Sequence, residues 1–205
     1  MTVTAALSVR WCDGGPVQPA ATTQAPPPGV TVIGLRGQTE RESARLAIRA
    51  ALADALAAHC GVTPDRVLLH SPSGGAPSAT VELDAGPRRV ALAISHDGDL
   101  SVAAFSFAGA VGIDVSQVVP VPDWEAVARD YLGPAAVQAL TTLPADARDA
   151  AFARAWSEHE ARLKSLGLQL EEWRAERAPL LAACACLPLT LPAGYAGCLA
   201  LAAAG

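Results

Sequence analysis

The sequence predicts an α+β fold with antiparallel sheets, and three observations carry that prediction. Short apolar or β-branched runs recur at 30–35, 67–69, 80–83, 90–95, 100–107 and 111–115. Two longer stretches, 40–58 and 144–166, repeat their apolar residues at helical spacing instead. The element order reads strand, helix, strands, and then again strand, helices, strands. That order points to two similar halves meeting near Ala108, one spanning residues 1–108 and the other 109–205.

Along the chain, residues 13–29 are rich in Pro, Gly, Ala and Thr and end in Pro26-Pro27-Pro28, the composition of an irregular connector. After the strand at 30–35, Thr39-Glu40-Arg41-Glu42 has the spacing of a capping box. Behind it Ala44, Leu46, Ile48, Leu52 and Leu56 form the apolar side of a helix that Gly61 stops. A Ser/Gly/Pro loop at 71–78 leads into three strands, and His96-Asp97-Gly98-Asp99 supplies a D-G hairpin turn between the last two. Pro122-Asp123-Trp124 opens a short helix at 124–131 that Gly133 ends. The helix at 144–166 follows a proline, stops at Gly167 and sets Ala151, Phe152, Ala155, Trp156 and Leu163 on one side. Residues 171–177 form a further helical turn, and 182–187 and 197–203 close the fold as strands.

The chain has 205 residues, 51% of them apolar and 17% charged, which provides for a well-buried interior. With a net charge of −5 and no clustered Lys or Arg, a nucleic-acid partner is not expected. The five cysteines, Cys12, Cys60, Cys184, Cys186 and Cys198, are odd in number and form no C-x-x-C pair. Cys184 and Cys186 read as buried residues on one face of a strand, and the set fits a reducing cytoplasm. No charged leader with an apolar run begins the chain, and Pro188, Pro192 and Gly194 break the apolar C-terminal stretch short of a membrane span.

Two segments concentrate residues capable of chemistry. The first runs Ile94-Ser95-His96-Asp97-Gly98-Asp99 and continues to Gly112-Ile113-Asp114-Val115. The second is Trp156-Ser157-Glu158-His159-Glu160-Ala161-Arg162-Leu163-Lys164-Ser165-Leu166-Gly167. Asp114 ends an apolar strand, where a carboxylate is unfavourable unless it lies at a rim or binds something. Trp156, Glu160 and Lys164 share one helix face. Carboxylates from two elements, with a lysine and a histidine, could hold a divalent metal against phosphates, since Mg²⁺ takes hard oxygen ligands and keeps water and phosphate in its shell. Singly, each residue has a plainer role. Glu160–Lys164 is a helical ion pair worth about 0.3 kcal/mol, Asp114 a turn cap, and His96 a turn residue. His159-Glu160 begins a zinc H-E-x-x-H helix, but position 163 is Leu and the motif is absent.

In order, Ser95-His96-Asp97-Gly98, Gly112-Ile113-Asp114-Val115 and Trp156…Glu160-Ala161…Lys164…Gly167 resemble the surfactin-type phosphopantetheinyl transferases. The likeness spans 90–170, with weaker likeness around Arg49 and after Gly194-Tyr195. The resemblance implies a pseudo-dimer of two α+β halves with coenzyme A bound in the cleft between them. It implies Mg²⁺ on Asp114 and Glu160, Glu160 as general base toward a carrier-protein serine, and Lys164 on a pyrophosphate oxygen. Ser95 and His96 would meet the nucleotide end, and Arg49 the 3′-phosphate. The chain departs from the family pattern at several places. Ser116 stands where a second metal carboxylate is common, with water filling that coordination position. His159 stands where the family has a lysine, so a phosphate contact there would fade above about pH 6.5. Gly75-Ala76-Pro77 lacks the lysine of G-K-P, and the N-terminal region lacks the family's lysine cluster.

The resemblance therefore implies a cytoplasmic, monomeric, Mg²⁺-dependent transferase. It would move phosphopantetheine from coenzyme A to a serine of an acyl or peptidyl carrier protein, with no membrane or nucleic-acid partner. The departures leave a second reading, a catalytically altered relative that binds coenzyme A or a carrier protein. A third reading is an unrelated α+β interaction protein, which would hold Asp114 and Glu160 far apart.

Overall fold

The computed structural model describes residues 6–12, 23–72 and 75–203; most of the connector, at 13–22, and the loop tip at 73–74 lie outside the described residues. The elements are β1 (Ala6–Leu7), β2 (Arg10–Trp11), β3 (Thr23–Gln24), β4 (Val30–Arg36), α1 (Arg41–Cys60), β5 (Val67–His70), β6 (Ser78–Leu83), β7 (Gly86–Asp97), β8 (Leu100–Ser106) and β9 (Val111–Gln117). There follow α2 (Trp124–Val127), which runs on as a π-helical turn at Ala128–Leu132, then α3 (Pro134–Thr141), α4 (Ala145–Ser165), α5 (Ala178–Ala182), β10 (Ala185–Pro188) and β11 (Tyr195–Leu201).

A six-stranded sheet has the order β2-β4-β8-β7-β6-β5, and a three-stranded sheet the order β10-β11-β9. Pairing is antiparallel through both sheets except at β2–β4, and the small β1–β3 pair is also parallel. The fold is thus α+β as expected, with mixed rather than purely antiparallel sheets. The parallel pairs come from the N-terminal segment, which returns to the sheet across the connector instead of through a hairpin.

The molecule is layered α1, large sheet, small sheet, α4. Period-two alternation builds this stack, because each strand sends alternate side chains to opposite faces. Ile33, Val81, Val90, Leu92, Ala103 and Phe105 pack under α1 with Ile48, Leu52 and Leu56. The opposite face sends Val30, Val32, Ala93, Leu100, Val102 and Ala104 against Val111, Ile113, Val115 and Leu199 of the small sheet. The far side of the small sheet carries small residues, and Ala161 of α4 packs there on Cys198 and Ala200. Gly112 lies on that side too, and a Cβ there would overlap the carbonyl oxygen of Ala161. Glycine is what lets α4 come this close to β9.

Several local expectations need correction. The cap of α1 is Glu40, not Thr39, because the Glu40 carboxylate reaches the N–H groups of Glu42 and Ser43 at 2.9 and 2.6 Å. Leu46 is 65% exposed and lies off the buried stripe. Helices α3 and α5 arise in stretches where no helix was expected; both are short, with proline in the first turn, and they give little periodicity to read. Cys184 precedes β10 and is buried beneath α5, whereas Cys186 is half-buried within the strand, so the two do not share a strand face. Among the described residues no helix is long and apolar enough to cross a membrane.

Candidate active site

A cleft of about 570 Å³ opens where α1, the 71–77 loop, the end of β7, the end of β9 and α4 converge. The hairpin turn brings the end of β7 to it: Asp97 pairs with Leu100, leaving a two-residue turn in which Gly98 takes φ +60°. Tyr195 of β11 holds that turn, donating to Asp99 Oδ1 at 2.6 Å while the Asp99 N–H and Gln117 Nε2 donate to its hydroxyl at 3.2 and 3.0 Å. On α4, Trp156, Glu160 and Lys164 recur every four residues and face the cleft.

The centre of the cleft is a buried polar knot around Asp114, which is 6% exposed. Asp114 Oδ1 accepts from Ser95 Oγ and from Lys164 Nζ, both at 2.6 Å. The Ser95 hydroxyl also accepts from Lys164 Nζ and the Val115 N–H at 3.4 Å. Burial pushes the Asp114 carboxyl above the ordinary carboxylate range, the Lys164 and Ser95 contacts oppose that rise, and nearby Asp97 adds to it. Glu160 is raised in the same way, by burial first, against Lys164 and with Asp114. Two carboxylates from β9 and α4 thus face one cleft, with Lys164 between them.

Of the residues singled out in the sequence, Arg49, Ser95, His96, Asp114, Ser116, Glu160 and Lys164 all line this cleft. Asp114 and Glu160 are therefore not far apart, which removes the observation that would favour accidental motif matches. Ser95 is bonded to Asp114 rather than open to a ligand. His96 Nδ1 lies 2.9 Å from Ser101 Oγ. Arg49 is hydrogen-bonded to Ser71 Oγ and, at 3.5 Å, to the Leu69 carbonyl.

His159 is the exception. It does not line the cleft, its Nε2 is buried with no hydrogen-bond partner, and burial, with help from Arg162, lowers its pKa. One step along a helix turns a side chain by about 100°, so the residue beside Glu160 is carried away from the cleft that Glu160 faces. A neutral imidazole held there is a poor phosphate ligand, and the expected fading charge finds no place in this geometry.

Three cleft residues were missed in the sequence reading. Arg41 and Arg45 join Arg49 at four-residue spacing along α1, and all three line the cleft. That spacing was a readable signal, but the apolar pattern of the same helix drew the interpretation. Asp97 also lines the cleft, with Oδ2 accepting from the Gln117 N–H at 2.7 Å. The Ser95-His96-Asp97-Gly98 motif contains it, but in the sequence it has no role of its own beyond the turn.

A second cavity of about 280 Å³ shares Glu160 and Lys164 with the first and extends past the apolar residues Leu92, Leu168 and Leu170. Among the described residues no cluster of three or more His, Cys, Asp or Glu could hold a metal by itself. Asp114 and Glu160 nonetheless offer hard oxygen donors toward the cleft that Ser116 also lines. That donor chemistry suits a cation such as Mg²⁺ that keeps part of its shell for water and phosphate.

Fold and site together define an α+β protein with a cleft lined by arginine, lysine and carboxylate side chains. Residues 110–180 match the 4′-phosphopantetheinyl transferase superfamily, so over that segment the chain is similar to the superfamily its motifs resemble. The protein is 28% identical over 119 residues to the 4′-phosphopantetheinyl transferase HetI of Nostoc sp., covering 58% of this chain and 49% of that protein. It is 30% identical over 74 residues to a Synechocystis sp. protein described as a candidate 4′-phosphopantetheinyl transferase, covering 36% and 30%. The chain thus spans half or less of the length of the curated relatives it matches. The superfamily match takes in Asp114, Ser116, Glu160 and Lys164, whereas Arg49, Ser95 and His96 precede it and rest on geometry.

Proposed function

We propose that this protein is a surfactin-type transferase that moves the phosphopantetheine arm of coenzyme A onto a serine of an acyl or peptidyl carrier protein with the help of Mg²⁺. The observation that carries the reading is the convergence of Asp114, Glu160 and Lys164 with the Arg41–Arg45–Arg49 stripe on one cleft. In this reading the 1–108 and 109–205 halves act as a pseudo-dimer with the cleft between them, and the chain works as a cytoplasmic monomer.

Coenzyme A carries a 3′-phosphate, a pyrophosphate and a long pantetheine arm, and residues of the cleft suit each of them. The α1 arginines and His96 suit the 3′-phosphate and nucleotide end. Lys164 suits a pyrophosphate oxygen, and the second cavity, past Leu92 and Leu168, suits the pantetheine arm. A bound Mg²⁺, held by Asp114 and Glu160 with water on the Ser116 side, would neutralise charge on the pyrophosphate. Asp97 is a further carboxylate at the same rim. Ser95 and Lys164 orient Asp114 by their hydrogen bonds.

Glu160, its basicity raised by burial, takes the proton from the carrier serine hydroxyl. The serine oxygen then attacks the phosphorus that bears the arm. The bond from that phosphorus to the bridging oxygen breaks, and the nucleotide leaves as 3′,5′-ADP. Positioning and charge neutralisation supply most of the acceleration in phosphoryl transfer.

The test is intact-mass spectrometry of a panel of apo carrier proteins incubated with this protein, coenzyme A and Mg²⁺. A gain of about 340 Da, one phosphopantetheine arm, is expected on at least one carrier. The gain should vanish with EDTA and fall at least about a hundredfold in Glu160→Ala. No gain on any carrier, together with measurable coenzyme A binding, would favour the altered binding module. Ser116 and the close Lys164–Asp114 ion pair are the features that speak for that second reading.

A further inference from the structure

On the small sheet, away from the cleft, α4 brings Arg162 down onto edge strand β10. Arg162 Nε donates to Cys186 Sγ at 3.1 Å, and its other arm pairs with Glu158 Oε1 at 2.5 Å. Cys186 pairs in register with Ala200 and Cys198 with Pro188, so the two cysteines are diagonal neighbours on one face of adjacent strands. Cys198 belongs to the cluster with Ala161 and Ala200, and Cys186 packs against it; the Cys198 thiol is shared between the Leu199 carbonyl, at 3.4 Å, and Cys186. Cys186 is half-buried at the sheet edge, within reach of solvent, whereas Cys198 is buried.

We propose that Cys186 and Cys198 form a peroxide-responsive dithiol, with Cys186, held against Arg162, as the sulfur that is oxidised and Cys198 as the thiol that resolves it. The groups facing Cys186 are Arg162, Glu158 and Cys198. The Cys198 hydrogen bond and the Arg162 guanidinium outweigh burial and the Glu158 charge, and hold the Cys186 thiol down at about 7. The oxidant is a hydroperoxide. The Cys186 thiolate attacks one peroxide oxygen, the O–O bond breaks, and a sulfenic acid forms as hydroxide leaves and takes up a proton. The Cys198 sulfur then attacks the sulfenic sulfur. The S–S bond forms, the S–O bond breaks, and the departing hydroxide takes the Cys198 proton to leave as water.

Cys198 stands opposite Asp114 in the β11–β9 register, so this dithiol is one strand from the centre of the cleft. The proposal does not depend on the transferase reading, and its test reads sulfur chemistry alone. The reduced protein is treated with low hydrogen peroxide, blocked with N-ethylmaleimide and analysed by intact mass and peptide mapping. The expected result is a loss of about 2 Da with Cys186 linked to Cys198, reversed by dithiothreitol. Cys198→Ser should yield a dimedone adduct on Cys186. Arg162→Gln, with its fold checked by circular dichroism, should slow the reaction about tenfold. Oxidation of exposed Cys12 first, while Cys186 and Cys198 both still take up N-ethylmaleimide, would overturn the proposal. So would an unchanged rate in a folded Arg162→Gln.

Discussion

Burial lifts the Glu160 carboxyl above its ordinary 4.5, Lys164 opposing the rise and Asp114 adding to it. The native state therefore keeps this proton to higher pH than the unfolded chain does. The stability linked to it is complete below the unfolded value and is lost as pH climbs through the native one. Glu160→Gln has no such proton to lose. It should melt at a higher temperature than the unchanged protein at pH 7, and the difference should close near about pH 4. Melting curves at both pH values check this, and equal curves at pH 7 would show that the carboxylate is not held at a cost. The residues of this site were legible to different degrees. Asp114, Glu160 and Lys164 could be read because a carboxylate at a strand end and a four-residue helical spacing are both visible in one dimension. Arg41 and Arg45 carried the same spacing signal beneath a stronger apolar one. Ser95 could be placed at the site, but not its bond to Asp114, since nineteen residues of chain separate the pair and only sheet packing closes the distance.

Among the elements, strands announced themselves through β-branched alternation, and β4, β7, β8 and β9 fall where the sequence put them, to within a few residues. α3 and α5 did not, because eight and five residues with proline near the start are too few turns to display a period. The contact between α4 and β9 was equally hidden: nothing local tells that Gly112 faces a helix backbone. Gly112→Ala should push α4 off the sheet, destabilise the protein by about 1–3 kcal/mol, and reduce carrier modification by about tenfold or more as Glu160 moves relative to Asp114. Denaturant titration and the carrier mass assay measure the two effects. Lost stability with full transfer would mean that the helix relaxes without disturbing the carboxylates.

Across the whole molecule, the two sheets share one apolar layer, so residues 1–108 and 109–205 are not expected to unfold separately. Trp11 reports on the large sheet, and Trp124, Trp156 and Trp173 on the second half. Fluorescence and far-UV circular dichroism should trace one coincident transition. Ile113→Ala, in the middle of the shared layer and fully buried, should lower stability by about 2–5 kcal/mol while keeping that single transition. Two separated transitions would show that the halves hold together more weakly than the packing implies. The sequence order of elements anticipated two groups of strands each with a long helix; that they are unequal, six strands against three, follows from pairings no local pattern reports.

The seam beneath α4, made of Gly112, Ala161, Cys198 and Ala200, works as a ruler. Its marks are atomic radii, not charges, so the distance between helix and strand is set before any ionisable group is chosen. The polar residues that line the cleft lie outside that seam, so their charges are not what spaces helix and strand. A scaffold of this kind separates where chemistry happens from what chemistry happens: charge can be redrawn on the cleft one residue at a time, while a single methyl group added to the seam would shift every group on that helix together.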